Sequence, residues 1–163
     1  MSKELELVNK LTKKRYTIST AESCTGGLLS GTIVNVSGAS EVLHSGFVTY
    51  ANEAKEQWLS VRHDTLEQYG AVSHQTAEEM ALGCARAAGA DMGLSTTGIA
   101  GPGGGTPDKP VGLVYIGCAL HGKTTVCRHV FSGDRYQVRS QAVQAAMDLA
   151  IHCLNQEMDS YKE

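Results

Sequence analysis

Residues 16–36 constrain the fold of this chain more than any other stretch. Tyr16, Thr17, Ile18 and Thr20 form a short aromatic and β-branched run suited to a pleated, half-buried strand. The run passes without a linker into Ser23-Cys24-Thr25-Gly26-Gly27 and then into Leu28, Leu29, Ile33, Val34 and Val36, which recur at helical spacing. The reading is strand, tight turn, helix, with a stop near Ser37-Gly38. A turn of small hydroxyl residues and glycines lets backbone approach a ligand, and a helix starting there offers N–H groups to an anion. Ser23 and Thr25 add hydroxyls at the same point. The combination suits a site that binds a phosphate and attacks a group beside it.

The same alternation continues. Residues 3–14 place Leu5, Leu7, Val8 and Leu11 among lysines and glutamates, a helix with one apolar stripe. Ser45–Ala51 reads as a strand, followed by a helix capped by Asn52 with Ala54, Trp58 and Leu59 facing the core. A short helix over 64–69 stops at Gly70, and Ser73 caps a longer one over 74–88 that buries Ala77, Met80, Ala81, Cys84 and Ala88. Asp91–Thr96 is the next strand. All three prolines and a run of glycines then fall between Thr97 and Gly112, marking a long loop of the kind that is functional or disordered in compact domains. Val111–Ala119 is apolar on both faces, as a central strand requires. His121-Gly122 turns it into an antiparallel partner, Lys123–Phe131. Gly133-Asp134 opens a last long helix carrying Val138, Ala142, Ala145, Ala146, Leu149 and Leu154. This order predicts one domain over residues 1–163, an α/β fold built as a three-layer α/β/α sandwich with a mixed, mostly parallel sheet.

Composition narrows the function. With 42% hydrophobic and 19% charged residues the chain falls in the globular range, and a net charge of −3 gives no general reason to bind nucleic acid or membrane. No secretory signal precedes the first helix, and no apolar run approaches the ~20 residues that span a bilayer. Five scattered cysteines without a C-x-x-C, and six histidines without zinc-ligand spacing, indicate a reduced, cytoplasmic protein with no metal or other cofactor.

Each candidate for chemistry has a plain alternative. Ser23, at a strand-to-helix turn, is either a nucleophile near backbone donors or a helix cap. Cys24 is a rival nucleophile or a small core residue. Lys55, early in a helix, gains nothing from the dipole there; its pKa falls, as a base requires, unless it is simply a solvated lysine. Tyr50 either contacts a ligand or packs on the sheet. The Thr97–Gly105 loop lacks the G-K-[ST] ending of a Walker A motif, so phosphate cradling there does not imply nucleotide triphosphate hydrolysis. Arg135 and Arg139 can pair with a phosphate or with local acids such as Asp134.

Six segments in order, E-S-C-T-G-G (22–27), V-T-Y-A-N-E-A-K (48–55), G-A-V-S (70–73), T-G-I-A-G-P-G-G-G (97–105), K-P-V-G (109–112) and F-S-G-D-R (131–135), resemble the CinA C-terminal domain family. The resemblance covers nearly the whole chain. It implies a nicotinamide mononucleotide deamidase of the PncC type, a homo-oligomer that releases ammonia and nicotinate mononucleotide in bacterial pyridine-nucleotide recycling. On that pattern Ser23 is the nucleophile and Lys55 its base, while Tyr50 and Thr97 position or polarise the amide. The N–H groups of the turn with Thr25, Gly26 and Gly27 are the preferred anion donors, and Gly101, Gly103, Gly104 and Arg135 are further phosphate contacts. Two other readings are a catalytically silent nucleotide-binding or regulatory module and a DNA-linked competence or damage-response factor. The acidic balance and the lack of a basic cluster count against direct nucleic-acid binding.

Overall fold

The computed structural model describes residues 1–160. Within them the elements run α1 (Lys3–Lys14), β1 (Ile18–Glu22), α2 (Leu28–Val34), β2 (Leu43–Val48), α3 (Asn52–Leu59), α4 (His63–Tyr69), α5 (His74–Ala88), β3 (Met92–Gly98), β4 (Leu113–Leu120), β5 (Lys123–Val130) and α6 (Arg135–Ser160), with one 3-10 turn at Ala39–Glu41. The sheet order is β2-β1-β3-β4-β5. β1 lies parallel to β2 and β3, and β4 lies antiparallel to β3 and β5. Four strands therefore point one way and β4 alone opposes them, which is the mixed, mostly parallel α/β sandwich expected.

Strand position explains burial. β1 is flanked by a strand on each side and covered on both faces, and all five of its residues are buried. β2, at the edge, alternates half-buried and exposed residues. Helices α1, α2 and α6 cover one face in a core that joins Leu7, Leu11, Ile18, Leu29 and Ile33 to Val138, Ala146 and Leu154. On the other face α5, backed by α3 and α4, packs Met80 and Cys84 with Ala21, Leu59, Val61 and Leu66. At Gly117 a Cβ would meet Ala77 O and Ser95 Oγ at 2.6 Å, so the bare backbone of β4 is what lets α5 lie so close.

Helix ends follow the sequence in part. Ser73 Oγ accepts from Thr76 N at 3.1 Å, as a cap should. Asp134 and Gln137 cap each other's backbone N–H at 2.8 Å, which fixes the start of α6. Asn52 is not a cap: it is the first residue of α3, after Ala51. Trp58 does not face the core but is 57% exposed, and Val34 is 63% exposed. α3 is instead rotated so that the Lys55–Leu59 line points inward, because Lys55 finds three acceptors there. β2 ends at Val48, earlier than expected, which leaves Tyr50 in the connection to α3.

The connections from β1 and β3 leave the sheet in opposite directions, β1 towards β2 and β3 towards β4. In open α/β sheets the crevice beyond the strand ends at such a point is where ligands bind. Ser23, Thr97 and Gly98 all lie there.

Candidate active site

A cavity of about 280 Å³ opens at this crevice, lined by Ser23, Cys24, Tyr50, Lys55, Thr97, the glycine-rich loop and Arg135, with Ala71 and Val72 closing one side. The pleat assigns the roles. Ile18, Thr20 and Glu22 alternate onto the α2 face of β1, so the next residue, Ser23, turns towards α3. Its N–H donates to Thr96 O at 2.9 Å, tying the first residue of the turn to β3.

Lys55 approaches Ser23 from α3. Its Nζ lies 3.0 Å from Ser23 Oγ, 2.8 Å from Thr49 O and 3.2 Å from Tyr50 O, and the residue is fully buried. Burial pulls its pKa from 10.5 down to about 8, against the raising influence of Cys24 and Glu53. An ammonium fits these partners with three donated bonds. A neutral amine must give up one proton, and only Ser23 can then donate in return, since the other two partners are carbonyls. Geometry and titration thus converge on one oxygen.

Behind the turn lies Glu22, a buried carboxylate that sequence reasoning passed over. It accepts from Leu29 N at 2.7 Å, Ser30 N at 3.1 Å, Ser30 Oγ at 3.1 Å and Thr25 Oγ1 at 2.6 Å. The start of α2 is therefore occupied by the chain's own anion. Thr25 is fully buried, and its hydroxyl is shared between Glu22 and Thr96, the latter at 2.7 Å. Gly26 and Gly27 provide positive φ angles of 58° and 101° for the turn; like Thr25, they do not line the cavity. Arg139 also faces this turn, donating to Cys24 O at 2.9 Å and Thr25 O at 3.0 Å, so its guanidinium braces backbone rather than standing free for a phosphate. The available signal was an acid ending a strand just before a helix start, the position from which a carboxylate reaches backbone N–H groups.

The remaining candidates ring the mouth. Thr97 donates its hydroxyl proton to Ala71 O at 2.7 Å, holding the segment before α5 against β3. Tyr50 is 64% exposed and its hydroxyl accepts from Arg135 at 3.2 Å; Arg135 also donates to Gly101 O at 2.7 Å. Arg135 thus links α6, the glycine-rich loop and the β2–α3 connection. Gly101, Gly103 and Gly104 line the cavity. Cys24 is buried, and burial pushes its thiol up to about 11, which leaves it protonated at neutral pH and a poor rival to Ser23. Among the described residues no group of three or more His, Cys, Asp or Glu is placed to hold a metal ion.

A three-layer α/β/α domain with a buried Ser–Lys pair at its strand ends is the class that fold and site define. The family model of the CinA C-terminal domain matches residues 1–154, and the chain belongs to that family. It is similar to a CinA-like protein from Kosmotoga olearia, 54% identical over 148 residues that cover 91% of this chain and 36% of that protein. The chain spans about a third of the length of the curated relatives it matches. Among solved structures, a CinA superfamily protein from Klebsiella pneumoniae 700603 superposes with a TM-score of 0.90 at 33% identity, over 96% of this chain and 99% of that one. The competence/damage inducible protein CihA from Agrobacterium tumefaciens gives 0.88 at 40% identity, over 94% and 93%.

Proposed function

We propose that this domain is an amidohydrolase that converts nicotinamide mononucleotide to nicotinate mononucleotide and ammonia, with Ser23 as nucleophile and Lys55 as base. The observation that carries the reading is the fully buried Lys55, held 3.0 Å from Ser23 Oγ with carbonyls as its other partners. Neutral Lys55 takes the Ser23 proton as the oxygen attacks the carboxamide carbon. The resulting ammonium returns that proton to the departing nitrogen, and ammonia leaves an acyl-enzyme. Water, deprotonated by the same amine, then attacks the ester carbon and releases the acid.

The character of the cavity supports an anionic ligand. Its lining carries two cations, Lys55 and Arg135, and no carboxylate, although the chain as a whole bears a net charge of −3. Arg135 is the phosphate contact in this reading, exchanging Gly101 O and Tyr50 for phosphate oxygens, while Gly103 and Gly104 follow the ligand as the loop adjusts. The protein acts as a homo-oligomer in the cytoplasm, within pyridine-nucleotide recycling. No helix among the described residues is long and apolar enough to cross a membrane.

The test is ammonia release from nicotinamide mononucleotide by the purified chain, with Ser23→Ala and Lys55→Ala beside it. Turnover should fall by about 10⁴-fold or more in either variant. Full turnover in Ser23→Ala overturns the nucleophile. Nucleotide binding by the intact chain without ammonia release makes it a silent binding module instead.

A further inference from the structure

The far end of α6 carries a second concentration of reactive groups, independent of the pocket at Ser23. Cys153 lies eighteen residues beyond Arg135 in this helix, about 27 Å along its axis. It is half-buried and lines a separate cavity of about 280 Å³ with Leu120, His121, Lys123 and Thr125. The core against which Cys153 packs includes the buried Cys118 of β4, paired across the ladder with Thr125 of β5. Cys127, two residues along β5 from Thr125, falls on the same face of the sheet. The two cavities share no lining residue.

We propose that Cys153 and Cys118 form a peroxide-reactive dithiol, with Cys153 as the attacking sulfur and Cys118 as the resolving one. The cavity admits a small oxidant to Cys153, whereas Cys118 is buried and does not line it. The microenvironment agrees with this division. Cys153 packs against the core that contains Cys118; the influence of the Cys118 thiol first, then of the Thr125 hydroxyl, His152 and Lys123, acts against burial to bring the Cys153 thiol down to about 6. The other four thiols are all shifted upwards: Cys24 to about 11, Cys84 to about 12, and Cys118 and Cys127 also above the ordinary value. Cys153 is thus the one thiol of the five shifted towards the thiolate, the form that attacks peroxides, and it is also the one that lines the cavity.

The chemistry closes without another reagent. The Cys153 thiolate attacks one oxygen of hydrogen peroxide, the O–O bond breaks, and a sulfenic acid forms as hydroxide departs and is protonated to water. The Cys118 sulfur then attacks Cys153, the S–O bond breaks, and that oxygen leaves as a second water with the Cys118 proton. Two thiols are oxidised to one disulfide and one peroxide is reduced to two waters. The product ties α6 covalently to β4.

The reduced chain, exposed to equimolar hydrogen peroxide and then alkylated, decides the matter. The expected product is lighter by two hydrogens before alkylation, and non-reducing peptide mapping finds Cys118 joined to Cys153. Cys153→Ser should slow thiol loss roughly tenfold or more. Cys118→Ser should accumulate a dimedone-trapped sulfenic acid at Cys153, with circular dichroism confirming its fold. The unsubstituted chain alone can overturn the proposal, by showing a Cys127–Cys153 link, a link between two chains, or no disulfide. Equal oxidation rates with and without Cys153 overturn it too. Amidase turnover enters none of these readouts.

Discussion

Two connections leave the sheet at the same end and meet over the same cavity, yet they are built in opposite ways. The Ser23–Gly27 turn is fixed from every side: to β3 through Ser23 N, to α2 through Glu22, and to α6 through Arg139. In the Ile99–Gly112 loop residues 102–108 are exposed. Paired bonds between Ile99 and the Gly112–Leu113 segment close its neck, Thr106 and Lys109 bond each other near its tip, and Arg135 holds Gly101. The difference separates two tasks. A nucleophile has to be held in one geometry, which favours a turn satisfied from within, whereas enclosing a ligand requires a segment whose contacts can be exchanged.

The sharpest way to break this comparison is to titrate the fixed side. Lys55 must be neutral to act as base, so kcat/KM for nicotinamide mononucleotide should climb about tenfold per pH unit and level off near pH 8, the value to which burial lowers this amine. A flat profile through that region would remove Lys55 from the role. Stability carries the same signature. The unfolded chain keeps the Lys55 proton up to about 10.5 and the folded chain only to about 8, so the unfolded state binds more protons between those values and stability rises with pH there. Summed over the window the gain is on the order of 3 kcal/mol. Cys24 and Cys84, with pKa values raised to about 11 and 12, act in the opposite direction, so the gain is to be read as the difference between the native chain and Lys55→Met in denaturant titrations.

Next in size is Glu22→Ala, which strips acceptors from the buried Leu29 N–H, the half-buried Ser30 N–H and the Thr25 hydroxyl and should cost about 2–4 kcal/mol in urea unfolding. Arg135→Ala, on the adaptable side, should leave folding almost unchanged while raising KM for the nucleotide about tenfold at nearly constant kcat. An equal fall in kcat would mean that the arginine acts in the transition state instead. The smallest contrast compares two glycines. Gly26→Ala forces a side chain onto a φ of +58° and should cost about 1 kcal/mol, whereas Gly103→Ala, with open space and no positive φ, should lie within about 0.5 kcal/mol of native.

The same contrast explains what could be read before the structure. Element order, the hairpin and the Ser73 cap were legible, because local periodicity and turn chemistry report them directly. The pairing of Ser23 with Lys55 came only from the family resemblance, since no local pattern brings two such distant positions together. The cause of the lysine's lowered pKa was not legible. It arises from enclosure by Thr49, Tyr50 and Ser23, which only the packing of α3 against β1 creates. Trp58 misled for a related reason: apolar spacing permits two rotations of α3, and the acceptors waiting for Lys55 select the one that exposes the indole. Glu22 was given no role of its own, and its reach to Leu29 and Ser30 becomes visible only when β1 and α2 are placed together. Thr25 was assigned to ligand binding, and Arg139 was left between a phosphate and a local acid, yet the polar atoms of both serve the turn itself, since sequence alone does not say on which side of a turn a side chain ends.

The carboxylate of Glu22 also fixes when the nucleophile is organised. Because the amides at the start of α2 already have an anionic partner, no ligand is needed to complete the turn, and the ordering of Ser23 belongs to folding rather than to binding. Amide hydrogens of Leu29 and Ser30 will therefore exchange with solvent equally slowly whether the cavity is empty or filled. Any ligand-dependent protection will be confined to the glycine-rich loop and its arginine.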